Sequence, residues 1–273
     1  VEPKIFVAVA GDDLAEAVAG GLEEALADRP DIAVVRKVAA DRGVIARDPS
    51  FATELRDFLS SKKVDAVVVA IGNQDQKPIA EGRTEHAFRS SRWNQIYATR
   101  VDEVLIALTE RRLPMIWLGL PPVADEERAA GNAHINEILR QRMIGFGASF
   151  HDVWAGFVDD AEAFAAVGPS LDGRDVRLRL ADGLGFTRAG ARKFAHYAEV
   201  EIRRLFPPEK IGEGAAVAVA KGDASIHVLT APPRTAGATL LSSDLPAVRR
   251  EVPGGPDGPP PGRADDFSWA PAP

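Results

Sequence analysis

Through its first 205 or so residues the chain alternates short apolar runs with longer amphipathic stretches. That alternation constrains the fold more than any other feature. "KIFVAVA" (4–10), closed by Gly11, is a short, uniformly apolar run and predicts a buried strand. The segment after it sets Leu14, Val18 and Leu22 at helical spacing. "DIAVVRKV" (31–38) predicts a second strand, "SFATELRDFLSS" (50–61) an amphipathic helix, and "VDAVVVAIG" (64–72) the strongest strand of the chain. A helix over about 92–112 leads into "PMIWLGL" (114–120), a strand stopped by Pro121 and Pro122. Residues 125–143 predict a helix, and "ASFHDVWAGF" (148–157) holds a fifth short strand. The last helix, about 188–206, carries Phe194, Ala198, Ile202 and Leu205 on one stripe.

Strands alternating with helices of this length make a parallel sheet covered on both faces. In such sheets ligands bind beyond the carboxyl ends of the strands. Asp12 and Asp13, the loop after Gly72 and the loop after Leu118 therefore share one rim, where function is to be sought. The formal net charge of −7 supplies no basic footprint, so a nucleic-acid partner is not expected. No apolar run approaches the roughly 20 residues that span a bilayer. Without cysteine there is neither a disulfide nor a thiolate metal site. The chain starts at Val1 with no methionine and no signal-peptide pattern, as a processed or trimmed fragment would.

After Pro207–Pro208 the character changes. "AAVAVAKGDASIHVLT" sets a Gly-Asp between two β-prone runs and predicts a β-hairpin extension within 208–231. Residues 232–273 are Pro/Gly-rich, with "PGGPDGPPPG" at 253–262. Such a tail cannot bury enough apolar surface to fold alone, which suits a linker or a partner-binding arm.

Several segments, read in order, resemble the SGNH (GDSL-like) hydrolase superfamily, and within it a bacterial periplasmic branch of the DUF459 type. "VAGDDLA" looks like the first block, Gly-Asp-Ser-Leu-Ala, which carries the nucleophile. "DRGVIARD" (41–48) resembles the second, whose glycine, Gly43 here, gives an oxyanion-hole N–H. "VVVAIGNQDQKPI" (67–79) resembles the third, Gly-x-Asn-Asp. "WLGLPPV" (117–123) and "HDVWAGFVDD" (151–160) look like connecting segments of that branch. "VRLRLADGLGFTRAGARKFAHY" (176–197) resembles the fifth block, Asp-x-x-His followed by Thr and a helix. The resemblance covers residues 3–206. It implies a flavodoxin-like three-layer α/β/α sandwich over 1–207, with a five-stranded, mostly parallel sheet, followed by the extended Pro-rich arm. It also implies a periplasmic or otherwise exported location, and no cofactor.

The same comparison removes the chemistry. Asp13 stands where the family has its serine, Gly185 where it has its histidine, and Gln74 where it has the oxyanion asparagine. Asp182 and Gly43 remain. Acyl transfer by a serine needs an activated hydroxyl, a base within reach and donors aimed at the oxyanion. In a serine protease, loss of nucleophile or histidine removes roughly 10⁶-fold in turnover. A glycine accepts no proton, and a carboxylate at the turn repels a developing oxyanion. The expectation is a catalytically inactive domain serving as a binding or scaffolding module in a bacterial envelope assembly, with a protein partner on the tail. The alternatives are a divergent esterase or deacetylase of acylated glycans or small esters, and a divalent-metal or polar-ligand site at Asp12, Asp13 and Asp75.

Each residue also has a plainer reading. Asp13 can be the N-cap of the first helix, with Glu16 completing a capping-box-like pair. Asp12, Asp13 and Asp75 could offer hard oxygens to Mg²⁺ or Ca²⁺. Gly43, Gln74 and Asp75 complete a candidate pocket for a polar small molecule or glycan, since Gln74 still donates. Asp182 without its histidine reads as a turn or cap residue. His86, His134 and His196 offer no rescue, and His151 is only a sequence neighbour of Asp152. Trp93 and Trp117 are expected in the core.

Overall fold

The computed structural model describes residues 2–208 apart from Gly147. The hairpin expected within 208–231 and the tail 232–273 therefore lie, but for Pro208, outside the described residues. Five strands form the central sheet: β1 (Ile5–Gly11), β2 (Ile32–Val38), β3 (Ala66–Ala70), β6 (Met115–Leu118) and β7 (Ser149–His151). Their order is β2-β1-β3-β6-β7, and every pairing is parallel. The register is set between Val7 and Ala66 on one side of β3 and between Val67 and Met115 on the other. All five residues of β3 are buried, as a central parallel strand covered on both faces requires.

Helices α1 (Asp13–Ala25) and α5 (Arg188–Leu205) pack together on one face of the sheet. On the other lie α2 (Phe51–Ser61), α3 (Ser91–Thr109) and α4 (Glu126–Phe146), in neighbouring pairs. Gly21 makes the α1–α5 contact close, because a β-carbon there would stand 2.3 Å from the Ala191 carbonyl oxygen. Ser50, Ser90 and Thr187 cap α2, α3 and α5 by accepting backbone N–H bonds. Trp93 and Trp117 are fully buried, and Trp93 stacks on Tyr97 at 4.7 Å.

Two small antiparallel hairpins were not foreseen: β4 (Ile79–Glu81) with β5 (Thr84–His86), and β8 (Val167–Pro169) with β9 (Asp175–Arg177). Three-residue strands are too short to show the alternation that marks a strand in a sequence. The fifth short strand expected within 148–157 is Ser149–His151, followed by a 3₁₀ turn at Trp154–Gly156.

Candidate functional site

The turn between β1 and α1 is held by Asp12. Gly11, at φ +149°, lets the chain pass so close to β3 that a β-carbon would lie 1.9 Å from the Ala70 carbonyl oxygen. Asp12, rather than Asp13, is the N-cap of α1: its Oδ1 accepts from the Leu14 N–H at 3.0 Å. Its Oδ2 accepts from the N–H groups of Gly72 (2.9 Å) and Asn73 (2.8 Å), so one carboxylate ties the first rim loop to the third. The capping box expected from Asp13 and Glu16 does not form; Glu16 instead pairs with Arg36 on β2. Burial, followed by repulsion from Asp13, pushes the Asp12 carboxyl up to about 7 against the pull of its three N–H donors.

Asp13 is half-buried at the first position of α1. Its Oδ2 accepts from Asn73 Nδ2 at 2.7 Å, and its Oδ1 is buried without a partner among the described residues. Burial raises its pKa, and the positive charge of Arg128 pulls the other way. Arg128 Nη2 reaches the Asn73 backbone carbonyl (2.8 Å) and its Oδ1 (3.0 Å). Asn73 thus bridges the carboxylate and the guanidinium.

Asp75 is fully buried. It accepts from Val44 N (3.1 Å), Ile45 N (3.2 Å) and the Tyr97 hydroxyl (3.0 Å), which anchors the loop after β2. Gly43 is buried against this carboxylate. Gln74 is half-buried and accepts from Lys77 Nζ at 3.4 Å. With their oxygens turned to N–H and O–H donors, Asp12 and Asp75 are placed as loop anchors. Among the described residues no three His, Asp or Glu side chains are grouped to hold a metal ion.

On the fifth block, Asp182 Oδ1 accepts from Leu184 N and Gly185 N, both at 2.9 Å, and this keeps its carboxyl below the usual range. A β-carbon on Gly185 would lie 2.6 Å from Leu180 Cδ1, so the Leu180 side chain occupies the space a residue at 185 would enter. Arg179 is fully buried and without a carboxylate partner among the described residues. It donates to the carbonyls of Pro122 (2.7 Å) and Leu184 (2.7 Å) and lies 4.3 Å from the Phe186 ring centre. Burial lowers its pKa to about 10.

Three residues that sequence reasoning passed over organise the rim. Arg128, Asn132 and Asn136 succeed one another at i, i+4 spacing on α4. Asn132 donates to the Pro121 carbonyl, and Asn136 both accepts from and donates to the backbone of Leu120. Polar residues recurring every fourth position, beside the buried Ile135, Leu139 and Met143, were the available signal.

No histidine among the described residues is hydrogen-bonded to a hydroxyl. His86 contacts Glu81, His134 contacts Asn94 and His196 contacts Glu199, while His151 Nε2 is buried without a partner. Two surface cavities, of about 390 Å³ and 370 Å³, lie beside the rim, and Asp13 lines neither.

The sheet order, the layers and these loops define an SGNH-like hydrolase fold. A carbohydrate acetylesterase from Sinorhizobium meliloti superposes with TM-score 0.53 at 13% identity, covering 74% of this chain and all of the other. An aryl esterase from M. smegmatis gives 0.53 at 16% identity with the same coverage. A GDSL-like lipase from Bacteroides thetaiotaomicron gives 0.54 at 11%, covering 74% of this chain and 90% of the other. At such identities the likeness is one of fold. The chain belongs to the family described as "Protein of unknown function (DUF459)", which matches residues 6–201. No curated protein matches it.

Proposed function

We propose that this hydrolase-like domain does not transfer acyl groups and serves as a binding or scaffolding module of a bacterial envelope assembly. One observation carries the reading: a half-buried carboxylate, Asp13, and the side-chain-less Gly185 stand at the two positions where bond cleavage needs a hydroxyl and an imidazole. The Asp13 carboxylate is anchored by Asn73, and its attack on an ester would leave a reactive anhydride rather than a stable acyl-enzyme. The lack of any hydroxyl–imidazole pair among the described residues supports the same reading. The segment from Pro232 onward is the proposed contact with a protein partner, and the exported location implied by the family resemblance is part of the proposal.

The test is hydrolysis of p-nitrophenyl acetate by the wild-type chain beside the Asp13→Ser/Gly185→His variant. The wild type is expected at the buffer background. Clear wild-type turnover that disappears on changing Asp13 or His151 would replace this reading with that of a divergent esterase.

A further inference from the structure

The larger of the two cavities lies away from Asp13, between the loop after β2, the β4 strand and the outer face of α3. Its volume of about 390 Å³ falls in the range of small-ligand sites. Its arginines differ in pairing. Arg92 is paired with Glu81, whose carboxyl it holds down to about 2. Arg47, from the loop after β2, and Arg100, from α3, also line it, and neither has a carboxylate within ion-pair distance among the described residues. Glu103, one turn along from Arg100, offers only longer-range attraction.

Each of these two guanidinium groups spends one nitrogen on a backbone carbonyl. Arg47 Nη1 donates to Ala80 at 3.0 Å, and Arg100 Nη1 donates to Ile45. Those bonds fix both heads, and none of their other nitrogens is buried without a partner. Burial and the neighbouring charge of Arg47 both work against the charged form of Arg100, so an anion between them would relieve the repulsion.

We propose that this cleft binds a phosphate monoester, with the phosphoryl group between Arg47 and Arg100 and the organic body on Ile96. Two fixed cations lining one cavity ask for a dianion. They also ask for oxygens pointing in more than one plane, which a phosphoryl group provides and a carboxylate does not. The cavity is larger than the anion alone, and half-buried Ile96 gives the remainder an apolar wall.

Titration calorimetry of the full chain at low ionic strength tests this with glycerol 1-phosphate, beside inorganic phosphate, acetate and glycerol. Saturable binding of the ester is expected, with inorganic phosphate and acetate weaker and glycerol silent. Because it removes a charge-assisted bond, Arg47→Ala is expected to weaken the ester at least about tenfold. Arg47 is exposed, so that variant keeps its fold, which circular dichroism checks. Arg174→Ala, on the β8–β9 hairpin turn, should leave binding unchanged. Ester binding indifferent to Arg47→Ala, or no tighter than that of acetate or inorganic phosphate, overturns the proposal.

Discussion

The Asp75 carboxylate stands where a side chain on Gly43 would have to go: Oδ1 lies 1.8 Å from the position of a β-carbon there. The contact couples the loop after β2 to the loop after β3 through a buried anion that also takes N–H bonds from Val44 and Ile45. Gly43→Ala is therefore expected to destabilise by about 3 kcal/mol or more, since either the loop or a buried, fully bonded carboxylate must move. Urea unfolding of the two proteins reads this directly; a loss below about 1 kcal/mol would mean that the loop is not held as described.

Asp12 satisfies three backbone N–H groups from two loops. Asp12→Ala removes a helix cap and leaves the buried N–H groups of Gly72 and Asn73 without their acceptor. The expected loss is about 2–4 kcal/mol, measured by chemical denaturation.

The pH dependence has a definite sign. The folded-state pKa of Asp12 lies near 7, above its ordinary 3.8, and those of Asp13 and Asp75 are raised as well. Between the two Asp12 values the folded state holds more protons than the unfolded one, so its contribution falls as pH rises from about 4 to 7 and then levels off. The Asp12 carboxyl carbon is expected to titrate by NMR with a midpoint near 7. Stability curves of Asp12→Asn should have a shallower downward slope over that interval than wild type.

Arg179 joins the loop after β6 to residues 183–185 through carbonyl acceptors alone. Arg179→Lys keeps the charge but loses the planar fork and the stacking on Phe186. A loss of about 2–3 kcal/mol is expected, together with faster proteolytic cleavage between residues 180 and 187. Unchanged protection of that loop would contradict the assigned role.

Gly185→His meets only Leu180 closer than ordinary contact distance, and that side chain is 45% exposed and free to swing outward, while Asp182 Oδ2 lies at 3.5 Å. The substitution is expected to destabilise by no more than about 1 kcal/mol. Adding Leu180→Ala should raise any ester turnover gained by Asp13→Ser/Gly185→His, because it frees the space the ring enters. Equal rates with and without Leu180→Ala would show that the leucine is no obstacle.

Much of the sheet was legible because its strands are buried on both faces. "VDAVVVAIG" has no other reading, and β3 is indeed wholly interior. Helices α1, α2 and α5 were readable from one-sided apolar spacing, to within a few residues at their ends. The rim was less so. Its block positions pointed to residues 12, 13, 43, 74, 75, 182 and 185, but which aspartate caps α1 depends on a contact 60 residues away, Asp12 with Gly72. No local pattern encodes that. Arg128 and Arg179 escaped notice for a related reason: an arginine looks like a surface residue until the fold brings backbone carbonyls around it.

The Asp182 side chain bonds only to N–H groups two and three residues further along its own turn, those of Leu184 and Gly185. An aspartate kept in an esterase solely to steer an imidazole would become a stranded anion once that ring was gone. Here the turn itself employs the charge, so the ring can vanish without leaving behind any electrostatic debt in the folded chain. At this corner of the molecule the turn therefore stands on its own bonds, with no imidazole needed to hold its shape.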